Sequence, residues 1–265
     1  MKGVLLFDID GVIRDVSGSY RLAIQETVAH FSKWRPTLEN IDNLKSEGCW
    51  NNDWQASQEL IKRHQEGIGG LSDCTPSLKE IEKVFSGFYF GGNPDGDSNN
   101  WKGFIKNEPL LVDQTFFRQL VLHGYKYGFV SGAEAPSAKF VLEKRLNLKD
   151  PPLIAMGDAP DKPDPKGFLL LASELIEGAL GLEAPVIAYL GDTIADVLTI
   201  QRARKEVSDQ NFVSLAVAPP HLHGKENQVA RLQYENDLRG KGADIILQNT
   251  TELLSHLMDL RSVHI

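Results

Sequence analysis

The sequence predicts an α/β protein: a doubly wound parallel sheet with an α-helical segment inserted after its first strand. Three observations carry this. An apolar run, Val4-Leu5-Leu6-Phe7, stands almost at the start of the chain; from about Ser17 to Ile105 strand-like alternation gives way to helical spacing; and from about Glu108 onward short apolar runs alternate with helical stripes. A chain of 265 residues holds one large or two modest domains with a real core, and the boundaries expected here are 1–16 with 106–265 for the sheet and 17–105 for the insertion.

The first run ends at Gly11, as a buried parallel strand should when it meets a turn. In the insertion, Ile24, Val28 and Phe31 form one apolar stripe, and Thr75-Pro76 reads as an N-cap and first helical proline ahead of Leu78, Ile81 and Phe85. Glu66 to Thr75 and Gly91 to Asn100 read as loops. All four tryptophans, Trp34, Trp50, Trp54 and Trp101, fall in or beside this stretch, as core material for a small helical domain or, for some, as stacking surface for a substrate. Within Cys49-Trp50-Asn51-Asn52-Asp53-Trp54, Asn52 and Trp54 are candidate substrate contacts, while Asn52 or Asp53 equally suits an N-cap for the helix carrying Leu60 and Ile61.

Beyond the insertion, Phe116, Leu120 and Leu122 mark a helix, Tyr127 to Val130 a strand, and Phe140, Leu142 and Leu146 a helix. Leu153 to Met156 follows as a short strand, and Asp164-Pro165 opens a helix through Leu169 and Leu175. Val186 to Leu190, Phe212 to Val217 and Ile245 to Leu247 are the remaining strands, with a helix through Val197 and Ile200, one between the last two strands and one from Thr250 to Leu260. Ligands of such sheets bind outside the carboxyl ends of the strands. Asp8, Ser131 and Asp192 each stand at such an end.

Composition narrows the function classes. The net charge of −8 argues against a nucleic-acid partner, which needs clustered Lys and Arg. No apolar run approaches membrane-spanning length, and the amino end enters a strand directly without an export signal, so a soluble cytoplasmic protein with no membrane partner is expected. Cys49 and Cys74 read most simply as reduced thiols, and His221 and His223 as loop histidines. Nothing in the sequence sets the oligomeric state.

Two acids one residue apart at a strand tip, Asp8 and Asp10 of Phe7-Asp8-Ile9-Asp10-Gly11, are either turn formers or chemistry. The pair is followed in order by Phe129-Val130-Ser131-Gly132, by Lys162-Pro163-Asp164-Pro165, and by Gly191-Asp192-Thr193-Ile194-Ala195-Asp196. Together these segments resemble the four motifs of the haloacid dehalogenase superfamily, whose members are mostly magnesium-dependent phosphatases. The resemblance implies a Rossmann-like core, and the insertion resembles the helical cap of the superfamily's first subclass.

By that resemblance Asp8 is the nucleophile that forms an aspartyl phosphate, a role suited to a carboxylate already ionised at neutral pH. Asp10 protonates the leaving alkoxide and later accepts a proton from water, a dual task calling for a raised pKa. Ser131 and Gly132 bind phosphate through a hydroxyl and a backbone N–H, and Lys162 supplies a neutralising point charge. Asp8, Asp192 and Asp196 together need a cation, since like charges about 4 Å apart cost roughly 4 kcal/mol per pair at an effective dielectric near 20. Mg2+ fits, its implied ligands being the Asp8 carboxylate, the Asp10 carbonyl and Asp192, with Asp196 in support. A cap and first-turn acid on a helix is the local alternative for Asp192 and Asp196.

The second carboxylate, Asp10, favours phosphoryl transfer over dehalogenation, and a cap favours a small phosphorylated metabolite as substrate. Val12 after Gly11 resembles the sugar phosphomutase branch, which stands as the alternative; a phosphate-binding protein without turnover is a further one. Arg14, Arg21, Lys62 and Arg63 are possible contacts to an anionic substrate, with a solvated surface charge as the plainer reading of each.

Overall fold

A computed structural model of the chain describes residues 1–47, 50, 52–69, 75–258 and 260. Cys49, Asn51 and Cys74 lie outside the described residues, and with them the reading of the two thiols. The chain divides into two compact units, Met1–Asp15 with Pro109–Ile265, and Val16–Glu108.

The first unit is organised by β1 (Gly3–Phe7), every residue of which is buried. Its side chains alternate between two apolar layers, as the period of a strand demands. Phe7 packs edge-on against Phe116 and Phe117 on one side, at 5.9 and 6.1 Å between ring centres. Val4 and Leu6 enter the opposite layer with Phe168, Leu171, Ile187, Ile200 and Phe212. This double burial explains why the strand reads as a continuous apolar run. Around it stand β2 (Tyr125–Val130), β3 (Leu153–Ile154), β4 (Val186–Gly191), β5 (Phe212–Val217) and β6 (Ile245–Leu247). All pair in parallel in the order β3-β2-β1-β4-β5-β6. The α/β fold expected from sequence is therefore the fold observed. The order reverses direction at β1 and β4, the switch point at which such sheets hold ligands.

Connecting helices complete this unit: α5 (Gln114–Leu122), α6 (Ala135–Lys139) continuing into a π-helical turn at Phe140–Arg145, α7 (Lys166–Ile176), α8 (Ile194–Glu206), α9 (Gln228–Gly240) and α10 (Leu253–His256). Helices α1 to α4 lie in the second unit. The expected start of α7 shifts by one position: the helix begins at Lys166, and Asp164 Oδ1 accepts from the Lys166 N–H at 3.0 Å, so the acid caps the first turn from one residue further out.

The second unit comprises α1 (Ser19–Ser32), α2 (Leu38–Ser46), α3 (Asp53–Gly67) and α4 (Leu78–Phe90). Ile24 and Val28 of the α1 stripe are fully buried, and Tyr20 stacks on Tyr89 at 4.7 Å. The buried Glu108 accepts from Ser19 Oγ at 2.5 Å and Tyr89 OH at 3.1 Å. Trp101 is core, packed on Phe90 and donating to the Asn93 carbonyl. One expectation fails here: Thr75 and Pro76 do not start α4. Ser77 does, because its hydroxyl accepts from the Glu80 N–H while the Glu80 carboxylate accepts from the Ser77 N–H, a reciprocal box that satisfies two donors at once. No helix among the described residues is long and apolar enough to cross a membrane.

Candidate active site

The ends of β1 and β4 bring the acids together. Asp8 follows Phe7 directly, and its backbone N–H continues the ladder to the Leu190 carbonyl at 2.9 Å, while its Oδ1 accepts from the Ile9 N–H at 2.8 Å. Asp192 follows β4, and Asp196 lies in the first turn of α8. Thr193 caps that helix: its hydroxyl accepts from the Asp196 N–H, and Asp196 Oδ2 accepts from Thr193 N at 2.9 Å and Oγ1 at 2.6 Å. Asp8, Asp192 and Asp196 are all buried, and each places one carboxylate oxygen within 4.8 Å of the others.

Lys162 binds this cluster. Its ammonium lies 2.9 Å from Asp8 Oδ2 and 2.6 Å from Asp196 Oδ1, and it donates to Tyr189 OH at 3.1 Å. The Tyr189 hydroxyl in turn donates to the Val130 carbonyl at 2.8 Å, tying β4 to the end of β2. Burial works against the Lys162 charge, but Asp196 and Asp8 outweigh it and hold the ammonium well above the ordinary lysine pKa. Asp196 is likewise kept below the ordinary aspartate value, Lys162 and Thr193 overcoming burial. Asp8 is pushed up to about 6, mainly by burial, with Lys162 opposing and Asp196 and Asp10 adding to the rise. Asp192 is pushed well up by burial, then by Asp196 and Asp8.

Three buried carboxylates around one ammonium leave an excess of negative charge, and Asp192 in particular is destabilised as an anion. A hard cation bound by carboxylate oxygen would relieve that strain, so the donor set fits a divalent ion such as magnesium. Gly11, at φ +75°, allows the close approach: a Cβ there would fall 1.9 Å from Asp192 Oδ2.

Ser131 is buried just past β2 and its Oγ accepts from the Ala133 N–H at 3.2 Å. A Cβ on Gly132 would meet no protein atom within 4 Å among the described residues, so packing does not require glycine there. Asp10 is 26% exposed and accepts from Arg14 Nε at 2.7 Å. Asn52 and Trp54 lie in the other unit: Asn52 Oδ1 accepts from the Trp54 and Gln55 N–H groups as the N-cap of α3, and the Trp54 side chain is half-buried.

The surface-charge reading of Arg14 is overturned, because its side chain is 0% exposed. Its signal in the sequence was its position four residues after Asp10, a spacing that can pair charges, behind the apolar Val12-Ile13. Arg63 is exposed and spent on Glu47 and Glu59, and Lys62 is exposed 4.0 Å from Glu66. Tyr189 is the participant that sequence reasoning missed. A tyrosine inside the otherwise aliphatic Val186-Ile187-Ala188-Tyr189-Leu190 was its only mark, since a buried phenol needs a partner.

A parallel sheet with a buried carboxylate and lysine cluster at its switch point defines a Rossmann-like α/β protein with a polar site at the strand ends. The chain belongs to the haloacid dehalogenase-like hydrolases, whose family model matches residues 3–204. It is 34% identical over 261 residues to an imidazoleglycerol-phosphate dehydratase of Phytophthora nicotianae, an alignment covering 97% of this chain and 52% of the relative. The chain thus spans about half the length of that curated relative.

Among solved structures it resembles phosphatase Tt82 from Thermococcus thioreducens (TM-score 0.62, 23% identity, covering 89% of this chain and 99% of that one). It also resembles a Thermotoga maritima protein assigned as a β-phosphoglucomutase (0.63, 16%, 98% and 99%) and a phosphonoacetaldehyde hydrolase-like protein from Oleispira antarctica (0.66, 15%, 98% and 92%). At these identities the likeness is one of fold.

Proposed function

We propose that the chain is a magnesium-dependent phosphatase that hydrolyses a small phosphorylated metabolite through an aspartyl phosphate on Asp8. One observation carries this reading: Asp8 stands at the tip of the central strand with Lys162 at 2.9 Å, and Asp10 is two residues on. In the first step an Asp8 carboxylate oxygen attacks phosphorus, the bond from phosphorus to the ester oxygen breaks, and Asp10 gives its proton to the departing alkoxide. In the second, water attacks the phosphoenzyme, Asp10 takes the water's proton, and phosphate leaves with Asp8 restored. Lys162 neutralises Asp8 and the incoming phosphate; Ser131 and the Gly132 N–H bind phosphate oxygens.

Asp8, the Asp10 carbonyl and Asp192 would hold the magnesium ion, whose chemistry is to offset the charge of the phosphoryl group. Asp196, whose oxygens accept from Lys162 and Thr193, supports the site by fixing Lys162. The inserted unit takes the part of the family's cap, with Asn52 and Trp54 as candidate substrate contacts; unchanged kcat/KM in their alanine variants would remove them from the site.

The test is phosphate release with magnesium over a panel of sugar, glycolate, nucleotide and amino-alcohol phosphates, with imidazoleglycerol phosphate added because the Phytophthora relative's name carries it. Turnover of at least one ester that vanishes in Asp8→Asn supports the reading, and no release from any would favour a phosphate-binding protein. The likeness to the Thermotoga protein keeps a sugar phosphomutase as the alternative. Slow hydrolysis together with isomerisation of a sugar phosphate, dependent on a sugar bisphosphate, would establish it.

A further inference from the structure

Arg14 is an expensive residue to place where it is. A guanidinium withdrawn from water must be balanced by charge and hydrogen bonds, and this one is fully buried while the carboxylate it holds, Asp10, remains partly open to solvent. The arrangement is asymmetric in a useful way: the cation is a fixed support behind the loop, and the acid is the part that faces outward.

The backbone shows how firmly that support is built. The Gly11 N–H donates to the Arg14 carbonyl at 2.9 Å, and the Ile13 and Arg14 N–H groups both donate to the Ile9 carbonyl, at 2.8 and 3.1 Å. Thr250 Oγ1 donates to the Val12 carbonyl at 2.7 Å, and the Leu111 N–H to the Ile13 carbonyl at 2.9 Å. The loop from Asp8 to Arg14 is thus closed on itself and pinned from two other parts of the sheet unit. Arg14 Nε then reaches Asp10 Oδ1 at 2.7 Å, a short charge-assisted bond with strict directionality. A lysine cannot copy it, because an ammonium is a point charge without the planar fork.

We propose that Arg14 is the positioning residue for Asp10: it fixes the orientation in which that carboxyl group meets the leaving-group oxygen. The proposal rests on the phosphatase reading above. It concerns proton donation to the leaving group only, so it makes a selective prediction. Esters whose leaving group departs readily without a proton need Asp10 little; esters of weakly acidic alcohols need it greatly. Loss of Arg14 therefore harms the second kind more, whereas a general loosening of the site harms both alike.

The experiment compares kcat/KM for p-nitrophenyl phosphate, phenyl phosphate and β-glycerol phosphate in the wild type, Arg14→Gln, Arg14→Lys, Asp10→Asn and the double variant Asp10→Asn with Arg14→Lys. Because kcat/KM reports events up to the first irreversible step, later hydrolysis of the phosphoenzyme does not mask the effect. For the Arg14 variants the expected loss on β-glycerol phosphate and phenyl phosphate exceeds that on p-nitrophenyl phosphate by about 10-fold, a part of the roughly 10²–10⁴-fold that general acid catalysis supplies. Competitive inhibition by inorganic phosphate stays near the wild-type value, and Arg14→Lys adds no further loss once Asp10 is Asn. Equal losses on all three esters, or full additivity in the double variant, would overturn the proposal while leaving the phosphatase reading in place. If Arg14→Gln does not fold, the charge-retaining Arg14→Lys carries the same comparison. A wild type that releases no phosphate from any ester would overturn the phosphatase reading itself, and this proposal with it.

Discussion

Asp8 and Asp192 are driven in one direction by their surroundings, and the consequence is a measurable conflict between stability and site chemistry. In the metal-free folded protein Asp8 titrates near 6 against an ordinary value of 3.8, and Asp192 also lies well above 3.8. The folded state therefore holds protons that the unfolded chain has lost, so the favourable contribution of the two protonated acids is present below 3.8 and lost as pH rises through their folded values. Asp196 has the opposite sign, but its window lies below 3.8, and Lys162 stays charged throughout. In EDTA, Asp192→Asn is expected to melt above the wild type by several degrees at about pH 7 and by less at about pH 5, and magnesium should close the gap by stabilising only the wild type. A variant that melts lower than the wild type at both pH values would contradict the strain assigned to Asp192. At this scale the sequence was informative wherever an acid or a lysine sat in a motif. It was silent on Tyr189, and on Arg14 it pointed outward, because spacing shows that two charges can meet but not which of them is buried.

The start of α8 does two jobs with one pair of side chains. Thr193 caps the helix, and its N–H and hydroxyl hold the Asp196 oxygen that faces away from Lys162. Thr193→Ala is expected to cost about 1 kcal/mol in denaturant unfolding through the lost cap. It should also lower kcat, since Asp196 would be freer to turn away from the ammonium it fixes; a stability loss with kcat unchanged would separate the two jobs. Capping chemistry also marks what was legible for elements. The strand runs were, because burial on both faces leaves an apolar signature in β1, β4 and β5, broken only by Tyr189 in β4 and Ser214 in β5. Helix starts were less so. Thr75-Pro76 offered a cap and a proline, yet the pattern Ser77-Leu78-Lys79-Glu80 offered two reciprocal bonds, and the stronger set of bonds decided the boundary. The short helix α2 carries only Leu38, Ile41 and Leu44 as its stripe, of which Ile41 and Leu44 are buried.

Across the whole molecule, sheet order is what turns scattered motifs into a site. Register pairs Phe7 with both Phe129 and Leu190, so the residues that follow β1, β2 and β4 emerge side by side although more than half the chain separates the first from the last. Sequence reveals the strands but not their neighbours, and convergence followed only from the general rule for doubly wound sheets. The second unit, Val16–Glu108, is helical, and the details of any substrate it selects were not legible, since its motifs are those of packing and capping. Small esters are expected to be turned over efficiently and folded phosphoproteins not at all, as measured by phosphate release; the reverse preference would exclude a cap that screens by size.

The most direct measurement is to mix the enzyme and magnesium with a phosphate ester labelled in its phosphoryl group, quench in acid within the first turnover, and map the label by peptide. A hydroxylamine-sensitive label is expected on the peptide carrying Asp8, absent from Asp8→Asn. Release of phosphate with no labelled peptide, or a label on another residue, would contradict it.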